Sequence, residues 1–242
     1  MTALTPNASR AGDVLTSPRP AAPPARLLCM RAVTKTWPRL ELPVLHELDL
    51  ELEAGTVTWI GGRNGIGKTT LLRIAAGLIR QDSGAVTIGD LHPVANRRAY
   101  QTRVGFLAAG NAGLYARLTV GWHLGWWARL AFVPAPRRRQ VVDAALDHFD
   151  LRELEDCRLD RMSMGQRQRI RLAAAFLHDP HVILLDEPRT SLDAEGTEIL
   201  ASAVRAAAAR GAAVLWCTPT GEDERIASDR RLLLEQGRLV KA

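Results

Sequence analysis

The sequence predicts an α/β fold built on a mainly parallel sheet. Three observations carry this reading. The runs Val182-Ile183-Leu184-Leu185 and Ala213-Val214-Leu215-Trp216 are continuously apolar and of strand length, as strands covered on both faces are. Strand-like and helix-like stretches alternate along the chain, which favours parallel pairing through helical crossovers. Third, an apolar strand at Thr56-Val57-Thr58-Trp59-Ile60 enters a glycine-rich loop that opens directly into a helix at residues 70–76.

In chain order, residues 1–25 are rich in Pro, Ala, Ser and Thr and poor in large apolar side chains, so a disordered tail is expected there. Residues 27–33 and 45–52 read as strands, the second by its period-two alternation. Glu53-Ala54-Gly55 is a turn into the loop strand. Asp82-Ser83-Gly84 reads as a turn before a strand at residues 85–88. Residues 140–149 read as a helix after the break at Pro134 and Pro136, and residues 170–177 as a strongly apolar helix. An Ala-rich helix follows at residues 195–210. Residues 231–234 and 238–240 close the chain as a hairpin.

The loop itself, Gly62-Arg63-Asn64-Gly65-Ile66-Gly67-Lys68-Thr69, has the spacing of a phosphate-binding loop. Its glycines permit backbone shapes in which successive N–H groups turn inward onto phosphate oxygens. Lys68 is placed to reach the β- and γ-phosphates, and the Thr69 hydroxyl to ligate Mg²⁺. The helix that starts there adds the positive end of its dipole. The candidate nucleotide-contacting set is Gly62, Asn64, Gly65, Gly67, Lys68, Thr69 and Thr70. Further on, four apolar residues deliver Asp186 and Glu187 to a strand's C-terminal end, where ligands sit in open α/β sheets. Asp186 suits Mg²⁺, directly or through water, and Glu187 suits polarisation of an attacking water.

Composition narrows the partners. Net charge is +6, yet the only dense basic run is Arg137-Arg138-Arg139, without interleaved aromatics, so no nucleic-acid partner is expected. Three cysteines without Cys-x-x-Cys spacing read as reduced thiols. No apolar run approaches the roughly 20 residues that span a bilayer.

Met162-Ser163-Met164-Gly165-Gln166, upstream of Asp186, resembles the Ser-x-Gly-Gln signature of ATP-binding cassette (ABC) ATPases. The resemblance covers residues 26–242. It implies a P-loop NTPase core with an N-terminal antiparallel β subdomain and a helical signature subdomain at about residues 108–170. ATP and Mg²⁺ are the implied cofactors. Two cassettes would face each other head to tail, with Ser163, Gly165 and Gln166 reaching the ATP of the partner subunit. Ser191-Leu192-Asp193 matches the family's D-loop, and Trp37 stands where the family stacks an aromatic ring on adenine.

Two departures bear on activity. The family usually carries a Gln after the strand at residues 104–107; here Ala108 and Ala109 follow, and the nearest amide is Asn111. The family usually carries a His after the last buried strand; here the chain reads Cys217-Thr218-Pro219-Thr220, leaving only threonine hydroxyls. Weak hydrolysis is therefore expected. Trp122, Trp126 and Trp127 recur at helical spacing behind Gly113-Leu114-Tyr115, and two readings stand side by side: anchors for a partner helix, or core residues. The resemblance implies a subunit on the cytoplasmic face of the membrane that powers a separate permease, exporter-like in its details. The alternatives are a regulatory module with little turnover and a soluble cassette acting on ribosomes or DNA.

Overall fold

A computed structural model describes residues 25–38, 41–110, 113–219 and 227–242. The expected tail (Ala25 apart), Asn111 and Thr220 lie outside the described residues.

Strand β1 (Arg26–Lys35) pairs antiparallel with β2 (Leu45–Glu53). β3 (Val57–Gly61) leads through the glycine-rich loop into helix α1 (Lys68–Ala75). β4 (Ser83–Ile88) returns antiparallel to the other edge of β1. A short helix α2 (Arg97–Gln101) precedes β5 (Val104–Leu107). Helices α3 (Val120–Leu130) and α4 (Ala135–His148) follow, then α5 (Met164–Phe176), β6 (Val182–Asp186), α6 (Ala194–Ala209) and β7 (Ala213–Thr218). β8 (Arg230–Glu235) and β9 (Arg238–Lys241) form the closing hairpin.

The α/β class with a mainly parallel sheet is what the structure has. Six strands lie in the order β5-β6-β7-β3-β8-β9, parallel except for the last pair. A separate antiparallel sheet has the order β2-β1-β4. Alternation along the strands separates two cores. Ile183, Leu185, Val214, Trp216 and Trp59 face α3, α4, α5 and α6. Val182, Leu184, Ala213, Leu215 and Ile60 face α1 and the antiparallel sheet. The side chain of Asp186 follows Val182 and Leu184 in this alternation, so it emerges on the α1 side.

Sequence reading placed some ends differently. The Asp82-Ser83-Gly84 turn is shorter than expected, because β4 already begins at Ser83. Gly84 (φ +85°) is needed in the strand: a Cβ there would lie 2.4 Å from the carbonyl oxygens of Arg31 and Ala32. α4 starts five residues earlier than expected, with Pro136 in its first turn, where a missing N–H costs nothing, so Arg137-Arg138-Arg139 are helical. Helix α2 carried too little periodicity to be expected. Its Tyr100 is fully buried and donates from its hydroxyl to the Ala75 carbonyl (2.6 Å), fastening α2 beneath α1.

Candidate nucleotide site

Parallel register brings the site together. Leu107 pairs with Leu185, Asp186 with Cys217, and Gly61 with Thr218. The C-terminal ends of β5, β6, β7 and β3 therefore form one rim, with the glycine-rich loop following β3 and Asp186 and Glu187 at the end of β6.

The glycine-rich loop holds the shape its spacing predicts. Gly65 has φ +79° and Gly67 φ +120°, both in territory that strains a side chain. A Cβ on Gly67 would also stand 3.0 Å from the Val44 carbonyl oxygen. Lys68 is only 5% exposed, and its ammonium donates to the carbonyls of Gly62 (2.6 Å) and Arg63 (3.1 Å), so the cation lies inside the loop. Asn64 is exposed at the loop crest and Thr70 half-buried on α1.

Thr69 and Asp186 meet directly: the threonine hydroxyl donates to a carboxylate oxygen at 2.7 Å. Asp186 is 1% exposed, and burial raises its pKa. The Thr69 hydroxyl, the Ala109 backbone N–H and the charges of Lys68 and Arg73 act the other way. Two hard oxygen donors side by side under a phosphate-shaped loop fit Mg²⁺, which takes one or two protein oxygens and completes its shell with phosphate and water. Glu187 follows, half-buried, with φ +48° and its N–H bonded to the Cys217 carbonyl at 2.9 Å. A non-glycine residue held in the left-handed region is strained, and such strain is stored where the surroundings fix it.

Ser163 caps α5 reciprocally with Gln166. The Gln166 N–H donates to the serine hydroxyl (3.1 Å), and the Ser163 N–H donates to the glutamine side-chain oxygen (2.9 Å). Both residues are therefore spoken for as a helix start, although Ser163 remains exposed. Gly165 packs against the Ser191 loop, where a Cβ would stand 3.0 Å from the Ser191 carbonyl oxygen. Asp193 caps α6 by accepting from the Gly196 N–H at 2.8 Å. Trp37 lies just past β1, 38% exposed, with the Lys35 ammonium 5.3 Å from its ring centroid. Lys35 itself is tied to Asp82 (2.6 Å), and its carbonyl accepts from Val44, the residue that abuts Gly67.

Thr218 is committed to the core. It is buried, and its hydroxyl oxygen accepts from the Trp59 indole N–H at 2.9 Å. Pro219 follows, half-buried, with no donor to offer. Trp59 was read only as a strand residue. Its ring fills the space over Gly61, where a Cβ would lie 2.2 Å from it, and Arg231 covers it at 4.4 Å. The buried polar pair Gln168 and Arg171 on α5 was also missed; only their i, i+3 spacing on one helix face hinted at it.

The tryptophans divide. Trp122 is 48% exposed and stacks on the half-buried Trp126 (centroids 5.8 Å apart), which meets the exposed Tyr115 edge-on at 5.8 Å. Trp127 packs against the core instead. Beneath them the fully buried His123 accepts from the Tyr115 N–H (3.0 Å) and bonds the Thr119 carbonyl (2.9 Å); burial lowers its pKa, and the Thr119 bond acts the other way. Among the described residues, no helix is long and apolar enough to cross a membrane.

Comparison with known proteins agrees with this architecture. The family model described as ABC transporter matches residues 45–190. The ABC transporter ATP-binding protein NatA of Bacillus subtilis is 29% identical over 196 residues, covering 81% of this chain and 80% of NatA. The probable multidrug ABC transporter ATP-binding protein YbhF of Escherichia coli is 31% identical over 214 residues. That match spans 88% of this chain but only 37% of YbhF. Among solved structures, a dimeric ATP-binding cassette in a post-hydrolysis state with ADP and Pi superimposes with a TM-score of 0.77 at 24% identity, covering 89% of this chain and 97% of that one. The phosphate loop, the acidic strand end and the matched family model lead to one conclusion: the chain belongs to the ABC transporter family.

Proposed function

We propose that this chain binds and slowly hydrolyses ATP to drive a separate transmembrane permease, in the manner of an exporter subunit. The observation that carries the reading is the Thr69–Asp186 contact of 2.7 Å beneath a loop that encloses the Lys68 ammonium. ATP phosphates would accept from the loop's N–H groups and from the Lys68 ammonium, which would exchange the Gly62 and Arg63 carbonyls it now holds for phosphate oxygens. Mg²⁺, held by Thr69 and Asp186, would neutralise charge on the phosphates. Glu187, one residue beyond Asp186 at the rim, would orient and polarise the attacking water. The start of α5, with Ser163 exposed and Gly165 half-buried, is the surface that a second cassette, of the same chain or a paralogue, would bring to the γ-phosphate. Binding energy at that shared interface makes ATP the glue of the dimer, and hydrolysis releases it.

Turnover is proposed to be slow because Ala108 and Pro219 put no side-chain donor on the rim. Each preorganised donor missing from a charged transition state lowers the rate by roughly 10²–10³-fold. The same observation favours a second reading, an ATP-gated regulatory module with little turnover. Trp122, Trp126 and Tyr115 offer the permease a rigid aromatic face at the cytoplasmic surface of the membrane.

The test is to tag the chain, extract native membranes in mild detergent and identify what co-purifies. A polytopic permease is expected, and its yield should fall about tenfold in Trp126→Ala while ATP binding is kept. Ribosomes or nucleic acid in its place would refute the transporter reading.

A further inference from the structure

The buried polar pair on α5 has no part in the machinery described above. Arg171 is 7% exposed and Gln168 3%. One guanidinium nitrogen of Arg171 donates to the Gln168 side-chain oxygen at 2.7 Å, and the other donates to the Ala108 carbonyl. Gln168 in turn donates from its amide to the Pro188 carbonyl at 2.9 Å. Among the described residues no carboxylate pairs with Arg171. A buried cation satisfied only by neutral oxygens is costly, since desolvation is not repaid by an opposite charge. Arginine remains charged even so.

The two acceptors are informative. The Ala108 carbonyl belongs to the same peptide unit as the Ala109 N–H, just past Leu107, which pairs with Leu185 next to Asp186; that N–H is among the groups that lower the Asp186 pKa. A cation on the carbonyl side polarises the unit and strengthens donation from its N–H side. The Pro188 carbonyl lies one residue beyond Glu187, whose own backbone is held at φ +48°. A single guanidinium thus spans the exit of β5 and, through Gln168, the turn after β6, on the helix that Ser163 begins.

We propose that Arg171 is a positioning residue: by bridging the Ala108 carbonyl and Gln168 it fixes the stance of the Asp186 carboxylate and of the Glu187 turn. The proposal rests on the ATP and Mg²⁺ reading of the site. Arg171 touches neither substrate nor metal; it acts through one peptide unit on the metal side and one amide on the water side. It also ties both to the helix whose start would meet a second cassette, so the rim and the signature move as one body.

The test measures Mn²⁺ binding by the loss of its free electron-spin resonance signal, on the full chain with the non-hydrolysable analogue β,γ-imido ATP. Affinity for Mn²⁺ is expected to fall about 10- to 100-fold in Arg171→Ala, as it does when outer partners of metal ligands are removed. Affinity for the analogue in EDTA should stay within about twofold, since the loop and Lys68 are untouched. In turnover, kcat should fall and KM for the Mg²⁺ complex of ATP should rise with the lost metal affinity, while metal-free nucleotide affinity is kept, a split that general loosening would not produce. Arg171→Lys should resemble the alanine variant, because an ammonium lacks the planar fork that reaches two acceptors. If Arg171→Ala does not fold, Arg171→Lys and Gln168→Ala carry the same measurement. Wild-type Mn²⁺ affinity in folded variants, or full rescue by lysine, would overturn the bridge. A proportional loss of metal-free nucleotide affinity would also overturn it. Wild-type chain that takes up no Mn²⁺ with the analogue would overturn the site reading and the bridge together.

Discussion

Four strand ends make up the rim, and they are furnished unequally. β3 and β6 end in chemistry: Lys68 and Thr69 follow the first, Asp186 and Glu187 close the second. Their neighbours β5 and β7 end in Ala108-Ala109 and Thr218-Pro219, which bring backbone and a committed hydroxyl but no free side-chain donor. The difference separates two tasks. Holding phosphate and metal needs the first pair. Stabilising charge that develops only in the transition state needs donors of the kind the second pair lacks. The proposal of tight binding with slow turnover rests on that asymmetry. The structure also shows what occupies the poorer pair: Arg171 takes the Ala108 carbonyl, and the Trp59 indole takes the Thr218 hydroxyl.

The largest effect should come from the furnished side. Lys68→Ala removes the side-chain cation that the loop encloses, and ATPase activity should fall by at least about a hundredfold, with nucleotide affinity, measured by equilibrium binding, falling too. Full activity in this variant would show that the site lies elsewhere. A gain should come from the bare side. Pro219→His adds an imidazole to the end of β7, and kcat for ATP should rise about tenfold, less than a preorganised donor contributes because the new ring lacks supporting contacts. Brisk wild-type turnover that the histidine leaves unchanged would break the comparison, since the rim would then owe nothing to the missing donor.

The smallest effect lies away from the rim, in the aromatic face. Burial depresses the pKa of His123 below its ordinary 6.5, so the unfolded chain binds the proton first as pH falls. The stability His123 contributes is complete above about pH 6.5 and declines below it. Protonating the ring also removes the acceptor for the Tyr115 N–H, which loosens Tyr115 from Trp126. Tryptophan fluorescence should report this as pH falls below about 6.5, and His123→Leu should flatten the response. An unchanged acid response in the leucine variant would assign it to other groups.

Local patterns that carry their own physics were legible in the chain itself. Glycine at positions with positive φ, four apolar residues ahead of two acids, and a Ser-x-x-Gln helix start each specify structure within a few residues. They announced the α/β class, the phosphate loop, the acidic strand end and the signature helix. Set against the pattern of the family it resembles, the sequence also implied which donors are missing, because an absent side chain is visible without a fold. Tertiary structure decided which residues meet across long separations. Thr69 and Asp186 are 117 residues apart, Trp59 and Thr218 159, and Arg171 and Ala108 63. No local period records such pairs, since parallel register and helix packing set them only once the whole sheet has formed. The same holds for the three tryptophans of α3: helical spacing placed them on one stretch, but only packing against the core separated Trp127 from the face that Trp122 and Trp126 present.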